Sequence, residues 1–302
     1  MSGSVKQIVV LSGKGGTGKT TITSSFAYLA GDMVVADCDV DAPNLSLVLQ
    51  GKVRSAHPFS GSLKAVIDPA SCTQCGLCEQ KCQFSAIKDF HVDSPSCEGC
   101  GVCHLVCQAG AVRLFDALSG HIRVNDTPYG TVIDAEMFPG EPNSGKLAAK
   151  VRSMAMEEAR QRGIGTVLID GPPGTGCPVI SSTTGADLVV IVSEPTPSGK
   201  HDLQRVIRLA GHFRIPCAVI INKYDLDEGF SKEVSSECIS GRIPVIGMVP
   251  YDESVGEAVA KGLPLPLSAP RSAASIEIAS VWEKVKRLLN EAAPRERLVK
   301  LE

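Results

Sequence analysis

The sequence predicts an α/β protein with a mostly parallel sheet, helices on both faces and a small inserted domain. Short apolar segments such as residues 8–11 and 188–193 alternate with segments of helical periodicity, as in strands joined by crossover helices. From about residue 59 this alternation gives way to a cysteine-rich segment with few long apolar runs. A chain of 302 residues that is 43% hydrophobic is long enough to bury one large core and a small one.

The first strand, at residues 8–11, leads through a glycine-rich loop into a helix at residues 21–30. The loop and the residue after it are Gly13, Lys14, Gly15, Gly16, Thr17, Gly18, Lys19, Thr20 and Thr21. This order of strand, Gly-Lys-Thr loop and helix is typical of a P-loop, in which backbone N–H groups and the helix N-terminus bind the phosphates of ATP or ADP. Lys19 is expected to reach the outer phosphates and Thr20 to bind Mg²⁺. Lys14 adds a positive charge that an ordinary P-loop does not need.

Carboxylates follow two further predicted strands. Residues 33–36 are followed by Asp37, Asp39 and Asp41, and residues 166–169 by Asp170 in the segment Asp170-Gly171-Pro172-Pro173-Gly174. The carboxyl ends of parallel strands face the ligand crevice of an open sheet, so Asp39 is a candidate for binding Mg²⁺, a bound water or the attacking nucleophile. Asp170 has the place of a Walker B aspartate, which holds Mg²⁺ through water.

The remaining predicted elements continue the α/β alternation to the end of the chain. Strands are expected at 129–137, 188–193, 217–221 and 245–249, and helices at 147–162, 200–212, 231–240 and 275–292. The last helix is amphipathic, and packing on its own domain is favoured over membrane docking because the tail at 295–302 mixes charge signs.

The cysteine pattern predicts a two-cluster ferredoxin-like domain at residues 63–115, inserted between 1–62 and 116–302. The spacing C-x2-C-x2-C-x3-C occurs twice, at Cys72, Cys75, Cys78 and Cys82 and again at Cys97, Cys100, Cys103 and Cys107. In bacterial ferredoxins the fourth cysteine of each run binds the cluster of the other half. One [4Fe-4S] cluster is therefore assigned to Cys72, Cys75, Cys78 and Cys107, and the other to Cys82, Cys97, Cys100 and Cys103. Structural zinc is disfavoured because zinc sites usually pair two C-x2-C arms.

Two residues depart from the bacterial ferredoxin pattern. Gln83 and Gln108 stand where that pattern has proline, which leaves the ligands intact but the turn geometry open. Two such clusters normally relay single electrons, and a purely structural role is the alternative. The other cysteines, Cys38, Cys177, Cys217 and Cys238, are expected to be buried apolar residues rather than ligands.

Composition restricts the partners and the location. A net charge of -3 gives no overall attraction to nucleic acid or to an anionic membrane. No apolar run approaches the roughly 18 residues of a membrane span, and residues 1–6 lack the apolar core of a signal peptide. We therefore expect a cytoplasmic protein, with neither nucleic acid nor membrane as a partner. Leu301 and Glu302 are interpreted as either native residues or a cloning remnant.

With Lys14, the loop resembles the deviant Walker A motif of the MinD, ParA and nitrogenase-iron-protein class of ATPases. Asp37-Cys38-Asp39 is similar to the second motif of that class, Asn222-Lys223 to its base-recognition pair, and Val249-Pro250-Tyr251-Asp252 to its late nucleotide-contact loop. Together with the cysteine insert, the match narrows to MinD-superfamily P-loop ATPases with an inserted ferredoxin domain.

This resemblance implies a homodimer, or a heterodimer with a related ATPase, that encloses two ATP molecules. Lys14 would act catalytically in trans on the partner's phosphates, Lys19 in cis, and Asp39 on the attacking water. Asn222 and Lys223 would recognise adenine, and Pro250, Tyr251 and Asp252 would contact the nucleotide. ATP or ADP, Mg²⁺ and two [4Fe-4S] clusters would be the cofactors.

Three functions are compatible with this interpretation. The favoured one is an ATPase switch whose dimerisation is coupled to a redox module and read by an unidentified protein partner. The second is an iron–sulfur cluster carrier of the Mrp type, although Cys217 and Cys238 are too far apart in sequence to form its C-x2-C pair. The third is an ATP-driven reductase similar to the nitrogenase iron protein, in which Cys177 does not match the expected ligand spacing.

Overall fold

The structure, a computed structural model, describes residues 4–141 and 143–291. Its strands are β1 (Lys6–Ser12), β2 (Met33–Asp37), β3 (Lys52–Ile67), β4 (Ile87–Lys88), β5 (His91–Val92), β6 (Val112–Thr127), β7 (Gly130–Met137), β8 (Thr166–Pro173), β9 (Leu188–Ser193), β10 (Cys217–Asn222) and β11 (Val245–Val249). Its helices are α1 (Lys19–Ala30), α2 (Leu45–Val48), α3 (Leu77–Lys81), α4 (Val102–Val106), α5 (Ser144–Arg162), α6 (Cys177–Thr183), α7 (Pro197–His212), α8 (Glu228–Ser240), α9 (Ser254–Ala260), α10 (Leu265–Ser268) and α11 (Ala273–Glu291), with a short 3-10 helix at Tyr224–Leu226.

The main sheet has nine strands in the order β11-β10-β9-β1-β8-β2-β7-β6-β3. The strands from β11 to β7 in this order run parallel, and β6 and β3 are added antiparallel at one edge. The predicted mostly parallel α/β fold is confirmed. This order places the carboxyl ends of β1, β2 and β8 side by side, where the P-loop and the aspartates begin.

Helices cover both faces of the sheet because its central strands are apolar on both sides. Along β1, Val9 and Leu11 join a core formed with α5, α7 and α8, whereas Ile8 and Val10 join a core formed with α1, α2 and α11. Strands that are buried on both faces have continuous apolar runs in their sequence, which is why these strands could be predicted.

The C-terminal helix packs on its own domain, as expected from its apolar stripe. Val281 and Val285 are fully buried, and the ring of Trp282 lies 4.9 Å from that of Phe26 on α1. No helix within residues 4–141 and 143–291 has both the length and the apolar character needed to cross a membrane. Ala292, the charged tail at 295–302 and the pair 301–302 lie outside the described residues.

The largest difference from the expectation is the pair of long strands that carries the cysteine-rich segment. β3 and β6 form an antiparallel ladder from Lys52 opposite Asp126 to Ile67 opposite Val112. Residues 68–111, with α3, α4 and the β4–β5 hairpin, lie between the far ends of these strands. The ladder shifts register three times between Val53 and Ser62 but continues past residues 63 and 115. The proposed insert therefore begins within strands of the main sheet.

Candidate functional site

The P-loop connects β1 to α1 and is shaped by two close contacts. Gly18 has φ +87°, and a Cβ at this position would lie 2.3 Å from Asn222 Nδ2, which donates to Thr17 O at 2.8 Å. A Cβ at Gly13 would lie 2.1 Å from the Cβ of Asp202 on α7. Glycine is therefore required at both positions, at one for backbone conformation and at both for space.

Asp170 is the centre of the polar contacts beneath the loop. Lys19 Nζ lies 2.9 Å from Asp170 Oδ1, Thr23 Oγ1 donates to the same oxygen at 2.8 Å, and Thr20 Oγ1 donates to Oδ2 at 3.0 Å. The pairing follows from the sheet, because β1 and β8 are adjacent and parallel. The residues expected to bind phosphate and Mg²⁺ are thus already gathered around Asp170.

A second buried carboxylate, Asp37, orders the segment after β2. Its oxygens accept from the backbone N–H groups of Asp39, Asn44 and Leu45 at 3.1, 3.2 and 3.1 Å. Burial raises the pKa of Asp37 to about 7, and the neighbouring charge of Asp170 contributes to the rise. Asp37 therefore holds its proton to a higher pH than an exposed aspartate does.

The site carries more negative than positive charge. Burial alone would lower the pKa of Lys19, but Asp170, helped by Asp37 and Asp39, raises it, so the lysine stays charged. Burial also raises the pKa of Asp39, and Asp170 and Asp41 add to the rise. Several carboxylates near one ammonium favour binding of a further cation.

A cavity of about 1150 Å³ opens above these residues. It is lined by P-loop residues Gly15, Gly16, Thr17, Gly18, Lys19, Thr20 and Thr21, by Asp39, and by Asn222, Lys223, Pro250, Tyr251 and Asp252. The predicted residues Gly13, Lys14 and Asp170 lie outside the lining. The volume is slightly above the range of about 300–1,000 Å³ that is usual for small-molecule pockets. Predicted site residues from four distant segments face this one space.

Two buried groups on this cavity fit an anionic ligand. Within residues 4–141 and 143–291, Thr17 Oγ1 has no hydrogen-bond partner although Thr17 is 2% exposed, and Lys19 Nζ has its ion pair with Asp170 but no well-aligned hydrogen bond. Buried polar atoms are normally satisfied, so these two favour phosphate oxygens as partners.

Lys14 does not point into the cavity but is held by its own chain. Its Nζ lies 2.6 Å from Glu194 Oε1 and 3.1 Å from Ser198 Oγ, both at the end of β9 and the start of α7. Glu194 also pairs with Lys223 at 3.3 Å, and Lys223 Nζ donates to Gly16 O at 3.1 Å. Opposing the effect of burial, the two lysines lower the pKa of Glu194, which therefore stays ionised. Glu194 is a central residue that the sequence analysis missed.

The residues expected around adenine have structural contacts as well. The Asn222 amide group supports the P-loop through Thr17, as described above. Asp252 accepts from the backbone N–H of Ser254 at 3.0 Å and of Ala274 at 3.3 Å, so its carboxylate orders the starts of α9 and α11. Tyr251 is 55% exposed at the cavity mouth.

The eight clustered cysteines separate into two sets of four. Cys72, Cys75, Cys78 and Cys107 line one small cavity, and Cys82, Cys97, Cys100 and Cys103 line another. These are the two ligand sets expected from the sequence. Ile67 and Val112 line the first cavity, and Ala65 and Leu114 the second.

Backbone N–H groups are directed at several of these sulfurs. Gln74 N donates to Cys72 Sγ and Ala86 N to Cys82 Sγ, each at 3.4 Å. Burial would raise the pKa of Cys107, but backbone N–H groups of residues 109–112 lower it. Such donors stabilise thiolates, the form in which cysteine binds metals.

Among the described residues, no three His, Cys, Asp or Glu side chains converge as the ligands of a single metal ion. Mg²⁺ and the two clusters therefore stay predictions from the sequence. Mg²⁺ is usually held by one or two carboxylates together with phosphates. In a cubane each thiolate binds a different iron, so the four sulfurs lie around a cluster and not around one ion.

The four scattered cysteines are not ligand groups in the structure. Cys38 is buried, and its S–H donates to Ala148 O at 3.6 Å; Cys177 is exposed at the start of α6, which was not expected. Folding brings Cys217 close to Cys238, and the pKa of Cys217 is raised to about 11, first by burial and then by that neighbour. A pair of protonated, largely buried thiols does not fit a labile cluster site.

Comparisons with known proteins agree with this fold. Residues 8–265 match the CobQ/CobB/MinD/ParA nucleotide binding domain. An uncharacterized protein of Methanocaldococcus jannaschii is 34% identical over 291 residues, which are 95% of this chain and 99% of that protein.

Two solved structures show the same fold. Septum site-determining protein MinD of Pyrococcus horikoshii, complexed with Mg-ADP, superposes with a TM-score of 0.58 at 17% identity, covering 96% of this chain and all of that one. The MinC:MinD cell division protein complex of Aquifex aeolicus gives 0.56 at 20% identity, covering 97% of this chain and 99% of the matched one.

Proposed function

The chain belongs to the CobQ/CobB/MinD/ParA nucleotide-binding family, and from this premise we propose that it is an ATP-hydrolysing switch whose dimerisation is coupled to an iron–sulfur module. The observation that carries the first half is the group of Lys19, Thr20 and Thr23 around Asp170 beneath a cavity of about 1150 Å³. The observation that carries the second half is the separation of eight cysteines into two sets of four.

In the proposed switch, the residues around the P-loop bind and orient the nucleotide. Phosphates entering the loop would take Lys19 Nζ and Thr17 Oγ1 as donors, and Lys19 would exchange part of its pairing with Asp170 for them. Mg²⁺, when bound, would neutralise phosphate charge, with Thr20 and Asp170 as its holders. Asp39, at the cavity wall, would orient the attacking water.

Lys14 would complete the nucleotide site of a second copy of the chain. In the single chain it is bound to Glu194, so it must leave that carboxylate to reach a partner's phosphates. A lysine brought in this way adds positive charge where negative charge develops on the phosphoryl oxygens. Dimerisation and hydrolysis then depend on the same side chain.

The cysteine sets fit two [4Fe-4S] clusters because each has four thiols, exposed at Cys75 and Cys100, and backbone donors directed at the sulfurs. Such clusters supply one-electron transfer when bound. The chain's own contribution is to hold the thiolates, exclude water from the small core formed by Ala65, Ile67 and Val112, and fix the module to the sheet through β3 and β6.

The proposed partners are a second copy of the chain, or a related ATPase, and a further protein that reads the dimer. One of the structural neighbours is named as a MinC:MinD complex, which gives a precedent for a protein partner in this fold. We keep the cytoplasm as the proposed location. The cluster-carrier alternative is weakened because Cys238 is buried and Cys217 is partly buried.

The test is anaerobic reconstitution followed by iron analysis and sizing with ATP. We expect about eight iron atoms per chain from two clusters, and ATP-dependent dimers that persist in Asp39→Ala. Cys100→Ser should lose about half of the iron, whereas Cys177→Ser, which alters an exposed cysteine outside both sets, should lose none. Stoichiometric zinc without charge-transfer absorbance would refute the cluster assignment, and a chain that stays monomeric with ATP would refute the switch.

A further inference from the structure

A buried lysine joins the cysteine module, residues 68–111 between β3 and β6, to the rest of the chain. Lys64, on β3, has a side chain that is 2% exposed. Its Nζ donates to Cys97 O at 2.9 Å and lies 3.8 Å from Glu141 Oε1. A buried ammonium is costly without a compensating charge, so Glu141 and any charge in the cavity of the Cys97 set compete for the same cation.

Glu141 belongs to the loop between β7 and α5 of the main domain. Its Oε2 lies 3.2 Å from Ser119 Oγ on β6 and 3.5 Å from Ser62 Oγ on β3. Lys146, in the first turn of α5, donates to Gly61 O at 3.4 Å. The start of α5 is thus fixed to the arms of the cysteine module by two sets of polar contacts.

The first turns of α5 also touch the segment that carries Asp37 and Asp39 and the helix that follows the Asp170 segment. A Cβ at Gly145 would lie 3.3 Å from Cys177 Cβ, so α5 packs directly on the start of α6, just after the Asp170 segment. Ala148 O accepts from Cys38 Sγ at 3.6 Å, and Cys38 stands between Asp37 and Asp39. A shift of α5 would therefore reach the site through two contacts.

The strand register shows which cysteine set is nearer to the main sheet. Ala65, paired with Leu114, lines the cavity of the Cys97 set, whereas Ile67, paired with Val112, lines that of the Cys72 set. Ala65 is closer along β3 to the strand's start at the main sheet. The Cys97 set is thus proximal and the Cys72 set distal.

We propose that Lys64 is a positioning residue that couples the reduction state of the proximal set, Cys82, Cys97, Cys100 and Cys103, to the nucleotide site through Glu141 and α5. This inference rests on the proposed function. Reduction adds one electron, taken from a one-electron donor, and forms or breaks no bond. The added negative charge draws Lys64 away from Glu141 and loosens the loop before α5. Because linkage is reciprocal, nucleotide binding must shift the reduction potential of the same centre.

The test is an anaerobic redox titration of the full chain with dithionite, followed by electron paramagnetic resonance, without nucleotide and with Mg-ADP. In the wild type, the reduction potential of one of the two centres should shift when nucleotide is bound. In Lys64→Met, the reduced-to-oxidised ratio of that centre at fixed potential should fall about tenfold, about 59 mV for a one-electron couple, and its nucleotide shift should vanish. Glu141→Gln, which keeps the buried lysine, should lose the nucleotide shift without that fall.

Lys88→Met is the matched control because Lys88 is an exposed lysine of the same module, and it should behave as the wild type. If Lys64→Met does not fold, Glu141→Gln alone decides. A wild type with no nucleotide shift, or a shift that persists in the variants, overturns the coupling while leaving the proposed function standing. A chain that binds no iron overturns both.

Discussion

Replacing Glu194 by Gln should strengthen ATP-dependent dimerisation. Glu194 holds Lys14 at 2.6 Å and Lys223 at 3.3 Å within one chain. A lysine that must cross to a partner subunit first has to leave this carboxylate, so the pair reduces the fraction of chains that are competent to dimerise. Glutamine keeps the shape of the side chain and removes the charge.

The size of the effect follows from the exposure of the pair. The side chains of Lys14 and Glu194 are 32% and 15% exposed. For a partly solvated ion pair, about 1 kcal/mol is a reasonable value, at the upper end of those measured at surfaces. A symmetric dimer releases two such pairs. The free energy of dimerisation should therefore become more favourable by about 2 kcal/mol, which lowers the dissociation constant of the dimer roughly 30-fold.

Sedimentation or light scattering of the Asp39→Ala chain with ATP measures this constant without hydrolysis. Glu233→Gln is a matched control because it removes an ion pair with Lys200 away from the P-loop. An unchanged dissociation constant in Glu194→Gln would refute the idea that the contact competes with dimerisation. A weaker dimer would mean that Glu194 itself belongs to the interface.

Three further predictions concern the same features. The free energy of unfolding of the nucleotide-free chain should fall by up to about 4 kcal/mol as pH rises from 4 to 7, because Asp37, with its pKa raised from 3.8 to about 7, keeps in the folded state a proton that the unfolded chain loses. Urea titrations check this, and Asp37→Asn should flatten the dependence; an equal slope in that variant would assign it to other groups. Gly99→Ala should lose the iron of one cluster, since its Cβ would lie 2.0 Å from Leu63 O, whereas Gly110→Ala, with a similar positive φ and open space, should keep it; equal iron contents would contradict the steric argument. Lys14→Ala should abolish dimerisation with ATP, and normal dimers in a sizing assay would exclude the trans role.

The parts of the site that the sequence predicted are those fixed by local motifs and by strand order. The P-loop and Asp170 follow apolar strands whose adjacency is typical of parallel sheets, so their meeting follows from the fold. The two cysteine sets were predictable because the spacing repeats and the exchange of the fourth ligand is a general rule. In each case few residues define the geometry.

Other contacts have no local signature. β3 was missed because most of its residues are exposed or half-buried, so it lacks the apolar alternation of a core strand. Its long ladder with β6 is set by pairing across the whole cysteine segment. Glu194 and Lys64 are single charged residues whose partners lie far away in the sequence, and only the folded chain brings Lys14 to the one and Glu141 to the other.

The way in which the module is attached bears on how a redox signal could act. A domain on a flexible linker can change its charge without affecting the rest of the chain, because the linker absorbs any movement. Here β3 and β6 are hydrogen-bonded to each other from Lys52 to Ile67, and β6 is paired with β7 of the main sheet. A local change at the base of the module therefore acts on strands that are themselves part of the main sheet, although the β3–β6 register shifts between Phe59 and Ser62. The side chain placed at this base is the buried cation Lys64. The proposed coupling therefore depends on Lys64, on Glu141 and on the charge of the proximal cysteine set, and not on the distance between that set and the nucleotide site.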